Sequence, residues 1–197
     1  MPGVDSVRVG QVALAEGVLW VVWLNYWWYA ARGGSGDIHA EPARERAIHL
    51  ALMVAAFMLL FAPLAGSAPN DQVLSPGETA AGFAGIVLTA LGLGFSIWAR
   101  RHLADYWSGR ITLKVGHRLV RTGPYAWVRH PIYTGVLLAV VGRALSVNTV
   151  AAWMGAVIAA GAYWRKIRLE ERVLMAHFGN EYTQYRAEVK ALVPGIW

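Results

Sequence analysis

Two clusters of polar side chains interrupt an otherwise apolar chain. The first lies in GPYAWVRHPIYTG, residues 123–135, where Tyr125, Arg129, His130 and Tyr133 are set around two prolines. The second lies in RLEERVLMAHFGNEYTQY, residues 168–185, and is headed by Arg168, Glu170, Glu171 and Arg172. An arginine fork suits a carboxylate, and imidazole is the side chain whose charge is most easily set near neutral pH. Taken singly, Arg129 and His130 read as interfacial anchors, and the two glutamates as a solvated helix face with arginine partners. Taken jointly they read as one site, provided the chain brings them to the same place.

The local backbone favours that. Pro131 can open a helix, because its missing N–H would be unpaired there anyway, and its ring pushes His130 toward an extended conformation. The N–H groups of Ile132, Tyr133 and Thr134 would then point out of the helix start, where an anion such as a carboxylate is favoured. Gly123-Pro124-Tyr125 reads as a turn that leaves Tyr125 and Trp127 free to cover a ligand or to lie against a membrane.

The elements that must position these groups are apolar runs. The 197 residues are 56% hydrophobic and 15% charged, against about 25% charged in soluble domains, and the mean hydropathy is +0.39. An integral membrane protein of one domain is expected. Apolar runs cover roughly Gln11–Ala31, Ala47–Gly66, Thr79–Ala99 and Ile132–Trp164. The last exceeds the roughly 17–25 residues of one span, and Ser146-Val147-Asn148 divides it into a short hairpin. No long period-2 run argues for a sheet. The expected class is therefore all-α: about five transmembrane helices, then a helical C-terminal region in which residues 165–178 prolong the fifth helix to a stop at Gly179. Residues 1–99 would form a three-helix part and 100–197 the cofactor-binding part.

Charge sets the expected topology. Lys and Arg number three in residues 32–46, seven in 100–131 and six from Arg165 onward, with none in 67–78 or at the hairpin tip. Five helices with the N-terminus outside place all three basic segments, and the C-terminus, on the cytoplasmic side, as in a bacterial inner membrane. The net charge of +6 is then explained by anionic head groups rather than nucleic acid. MPGVDSVRVG lacks the basic region and cleavage site of a signal peptide, so the first run is expected to stay as a span. Its dense aromatics, Trp20 to Tyr29, suit an interfacial belt and packing surface. With no cysteine, thiolate chemistry is excluded. The six scattered histidines form no zinc-ligand spacing, so no metal is expected.

G-P-Y-x-x-x-R-H-P-x-Y-x-G and E-E-x-x-L-x-x-x-F-G-x-E-Y-x-x-Y are both met in full. With the preceding LVRT they cover residues 119 to 185, and the chain there resembles the isoprenylcysteine carboxyl methyltransferase and phospholipid methyltransferase superfamily. That resemblance implies methyl transfer from S-adenosyl-L-methionine to a lipid or prenylated small-molecule acceptor at the membrane. Carried over by position, Leu119, Val120, Gly123 and Tyr125 would shape the donor pocket. His130 and Tyr133 would bind its amino-acid part, and Glu170 and Glu171 its adenosine or amino groups. Arg168 with Glu171, or Arg129, would serve a carboxylate acceptor. An amine acceptor would want a base, for which Glu171 or Tyr133 is available. Gly92-Leu93-Gly94 is similar to a G-x-G element of phospholipid methyltransferases, but in a membrane helix such a pair reads first as close packing. Lys114, His117 and Arg118 read as head-group contacts or part of the donor loop.

Rival classes are an NADPH-dependent membrane reductase of the sterol-reductase kind, which shares an R-H-P-x-Y end, and a small permease or assembly factor. Glu16, Asn25 and Arg143, polar residues within apolar helices, would mark a path in the latter.

Overall fold

The computed structural model describes residues 4–30, 32, 37–40, 42–62, 76–104, 112–114 and 119–196. Among the described residues six α-helices dominate: α1 (Val4–Ala30), α2 (Ala43–Phe61), α3 (Pro76–Leu103), α4 (Pro131–Val147), α5 (Val150–Phe178) and α6 (Asn180–Glu188). The helical expectation holds, with one addition. Asp37–Ala40 (β1) and Thr112–Lys114 (β2) pair antiparallel, Asp37 opposite Lys114 and Ala40 opposite Thr112. Strands this short carry no readable alternation and leave no mark in the residue pattern.

The helix ends follow from local chemistry. Asn148 caps α4 in the left-handed conformation at φ 47° and ψ 44°, which asparagine tolerates better than most residues. Thr149 opens α5 by accepting the Ala152 N–H at 3.2 Å, a standard N-cap bond. The hairpin therefore turns where the sequence places it. Gly179, at φ 53°, ends α5 and starts α6.

Small residues set the packing. α3 lies along α4 so closely that a Cβ on Gly92 would come within 2.5 Å of the Gly135 carbonyl, and one on Gly135 within 2.5 Å of the Gly92 carbonyl. Gly142 meets Thr89, and Gly85 meets Ser146, in the same way. α2 packs on α5, where Gly155 faces the Ala56 carbonyl. α1 leans on α3, fastened by a 2.8 Å hydrogen bond from Trp23 Nε1 to Ser96 Oγ.

The burial pattern is inverted relative to a water-soluble bundle. Glu16, Thr89, Ser96 and Arg143 are buried, whereas Leu14, Val18, Met58, Phe83, Val87 and Leu91 are largely exposed. One described helix segment, Ala80–Leu103, is long and apolar enough by itself to cross a membrane, at mean hydropathy 1.9; α4 is apolar but shorter.

Candidate active site

The end of the bundle where α4 starts and α5 projects outward gathers both polar clusters. Pro131 occupies the first position of α4, and His130, at φ −122° and ψ 60°, is its N-cap. The Thr134 N–H bonds the His130 carbonyl at 3.0 Å, so of the three donors expected to point outward, this one is used within the helix.

The chain beyond α6 folds back to brace the turn. The N–H groups of Arg129 and His130 donate to the carbonyls of Lys190 and Ala191, at 2.8 and 3.0 Å, and Thr134 Oγ1 donates to the Leu192 carbonyl at 2.9 Å. From α6, the buried Tyr185 hydroxyl donates to the Tyr125 carbonyl at 2.6 Å, and Glu188 pairs with Arg121. Four backbone or hydroxyl hydrogen bonds and one ion pair thus fix a segment that looks irregular in sequence.

Within this frame Arg129 Nε and Nη2 both donate to Glu171 Oε1, at 2.9 and 2.6 Å. Its Nη1 donates to the carbonyls of Val189 and Arg186. His130 stands between the acids, with Nε2 3.3 Å from Glu171 Oε1 and Nδ1 3.5 Å from Glu170 Oε2. Arg186 Nε lies 3.6 Å from the other Glu171 oxygen. The side chains of Arg129, His130 and Glu171 are only 7%, 3% and 9% exposed, so these charges act in a medium where Coulomb energies are several-fold larger than in water.

The titrations follow. Burial alone would push the Glu171 carboxyl up, but His130 and Arg129 outweigh it and bring it down to about 2. Glu170 is likewise held below the usual carboxylate range, burial being overcome by His130 and by a hydrogen bond from Tyr133. Burial would depress the His130 imidazole, yet the adjacent Glu170 and Glu171 carboxylates raise it above its ordinary value. Tyr125 is buried and pushed up, first by desolvation and then by the Glu170 charge.

Of the residues singled out in sequence, the fold brings Arg129, His130, Tyr133, Glu170 and Glu171 into one cluster, with the Tyr133 ring stacked on His130 at 5.6 Å. Arg168 is not brought in. It is exposed, and its guanidinium lies over the Trp164 ring at 5.7 Å, on another face of α5. Arg129 takes the place expected for it beside Glu171. Tyr125 is buried below the cluster, its ring near-parallel to His102 at 6.4 Å. Gly123 is a turn residue at φ 58°, and a Cβ there would come within 2.7 Å of His102, so the imidazole fills the space at that position. Leu119 and Val120 are half-buried in the chain leading to the turn. Trp127 is exposed and stacks on Phe95. Of the other basic residues, Lys114 lies in β2, and His117 and Arg118 fall outside the described residues.

Three further groups border the cluster without having been singled out. Tyr163 of α5 meets Tyr133 at 4.9 Å, His49 of α2 meets Tyr163 at 5.4 Å, and Lys166 lies 6.0 Å over the Tyr133 ring. Lys166 was legible as a cation four residues before Glu170. His49 sits alone in an apolar run, and nothing in sequence marks it.

Comparison with known proteins agrees with the motifs. The model of the Isoprenylcysteine carboxyl methyltransferase (ICMT) family matches residues 85–176, and the resemblance to that superfamily is shown for this segment. The chain is 35% identical over 81 residues to a protein-S-isoprenylcysteine O-methyltransferase of Schizosaccharomyces pombe, covering 41% of this chain and 34% of that one. It is 32% identical over 100 residues to a methanethiol S-methyltransferase of Mycobacterium tuberculosis, covering 51% and 39%. A methanethiol S-methyltransferase 1 of Bradyrhizobium diazoefficiens is 40% identical over 70 residues, covering 36% and 24%. The chain thus spans well under half the length of these relatives.

Proposed function

We propose that the protein is an integral membrane methyltransferase that uses S-adenosyl-L-methionine to methylate a lipophilic acceptor, most specifically the carboxylate of an isoprenylcysteine-like molecule. The observation that carries this is the meeting of His130 with Glu170 and Glu171 across 41 residues of chain, on the Arg129 guanidinium. The donor set fits the cofactor, which bears a sulfonium, an ammonium and ribose hydroxyls. Glu170 Oε2 is buried with no hydrogen-bond partner, an acceptor of the kind that a cationic or hydroxyl-bearing group would satisfy.

S-adenosyl-L-methionine, when bound, supplies a methyl group on a cationic sulfur. Glu170 and Glu171 hold its positively charged parts, and Tyr125, Tyr133 and His130 line its place. Arg129 has its donors committed to Glu171 and to backbone carbonyls, so it positions the acid rather than gripping the acceptor. A carboxylate is already a nucleophile at neutral pH, so alignment of the reactants is the main task, worth up to about 7–11 kcal/mol in favourable systems.

The apolar exterior and the distribution of basic residues support five spans with the N-terminus outside and this site at the cytoplasmic surface. Purified protein in nanodiscs should bind the donor and its demethylated product, and membranes given methyl-labelled donor should yield label in an organic-extractable product. No affinity for either nucleotide would sink the proposal, and oxidation of NADPH on mixing with enones would favour a reductase instead.

A further inference from the structure

Trp20 and Trp23 are buried in the core, whereas Trp28, Trp98 and Trp164 are 61%, 43% and 45% exposed. These three stand on different helices at nearly one level. Arg100 Nη2, just past Trp98, donates at 3.2 Å to the carbonyl of Ala30, just past Trp28. Trp98 also meets Trp127, in the turn before α4, at 5.5 Å. Tyr163, the neighbour of Trp164, meets Tyr133 in the first turn of α4 at 4.9 Å. The exposed indoles of α1, α3 and α5 therefore mark the level at which α4 starts.

Each is followed within one helical turn by an exposed arginine: Arg32, Arg101 and Arg168. Two of the guanidinium groups turn back over the preceding ring, Arg32 at 3.4 Å from the Trp28 centroid and Arg168 at 5.7 Å from that of Trp164. This is cation–π geometry, and it keeps the charge near the level of the ring. Tryptophan belongs at the head-group level of a bilayer, where one side of the indole is apolar and the other wet. A guanidinium fork held there meets phosphate oxygens, and its charge favours a leaflet of net negative head groups.

We propose that these three Trp–Arg pairs form a docking surface for anionic phospholipid, with the guanidinium groups on the head-group phosphates. Arg168, left outside the acidic cluster, has its place here. From Trp164, α5 runs on to Glu170, about 9 Å further at about 1.5 Å per residue. A head-group layer is about 5–8 Å deep. The surface therefore holds the cluster of Arg129, His130, Glu170 and Glu171 at the outer edge of the head groups, open to a water-soluble ligand. This needs membrane residence only and does not depend on methyl transfer.

The test places the full chain in vesicles of equal parts phosphatidylglycerol and phosphatidylcholine, with bromine on the acyl chains of one lipid or the other. Tryptophan quenching then reads which lipid lies against the exposed indoles. Wild type should prefer phosphatidylglycerol about threefold or more. Combined Arg32→Gln, Arg101→Gln and Arg168→Gln should lower that preference by about half or more, and the matching triple lysine variant, which keeps the charges, should retain it. Raising salt from about 0.1 to about 1 M should erode the wild-type preference as well, since exposed charges are screened. Should the glutamine variant not fold, this salt response decides alone. Equal quenching by the two lipids, a preference for phosphatidylcholine, or a preference that neither salt nor the glutamine variant moves overturns the surface. Failure to enter vesicles overturns it together with membrane residence. Loss of donor binding in the same samples would remove methyl transfer and leave the lipid surface standing.

Discussion

Arg129 holds Glu171 through two donors on a single carboxylate oxygen, at 2.9 and 2.6 Å, with both side chains withdrawn from solvent. The pair joins the start of α4 to the outer half of α5 and presents Glu171 to His130. Lysine, a point charge on a flexible stem, cannot reproduce that fork.

Arg129→Lys should therefore weaken donor binding at least about tenfold, since the Glu171 orientation is lost with the second donor. Arg129→Ala should also lower stability by about 3–5 kcal/mol, the usual cost of stranding a buried charge. Arg168→Ala, on the exposed face, should leave both quantities within about twofold, and within about 0.5 kcal/mol for stability. Calorimetric titration and thermal unfolding in one detergent read all three. A large effect at Arg168 would contradict the placement of the site.

Stability should depend on pH on both sides. Glu171 is held to about 2 against an ordinary 4.5, so its contribution is present above 4.5 and lost as pH falls toward 2. His130 is raised above its ordinary 6.5, so its contribution is full below 6.5 and lost as pH rises through the higher folded value. Unfolding midpoints should peak between these limits. Glu171→Gln should flatten the acid limb and His130→Gln the alkaline one, and an unchanged profile in both variants would refute the coupling.

Far from this site, Glu16 accepts from Thr89 and Ser146 at 3.1 and 2.8 Å, tying α1 to α3 and α4. Arg143 is buried close by, over the Phe61 ring at 4.6 Å. Thirteen residues of α4 separate it from His130, about 20 Å at 1.5 Å per residue. Arg143→Ala should thus alter stability through the lost packing over Phe61, while donor affinity holds. His130→Ala should lower donor affinity. Equal loss of donor affinity in both would undo the map.

The Gly92-Leu93-Gly94 element makes a sharper comparison. A Cβ at Gly92 collides with the backbone of α4, whereas one at Gly94 meets nothing within 4 Å. Gly92→Ala should lower the unfolding midpoint by several degrees, and Gly94→Ala should raise it slightly through helix propensity. Equal effects would show that the pair does something other than packing.

Pro131, Asn148, Gly179 and the long apolar runs made the order of helices legible, because caps and periodicity act over a few residues and leave their mark locally. Both halves of the site were legible for the same reason, as dense motifs. Arg168 was misplaced because neighbours in sequence point to different faces of a helix, and only packing decides which face is inside. His49 was silent in an apolar run until α2 docked on α5, and the 189–192 segment showed no pattern because its hydrogen bonds run to residues some sixty positions away.

What the residues determined alone, then, was a helical, apolar chain with two charged motifs able to meet. Which arginine holds the glutamate, and which rings stack on beyond His130, were decided by tertiary contact. Helix formation answers to short-range torsions and local hydrogen bonds. The choice of partner depends on which side chains lose water together, and that is settled only when whole helices pack.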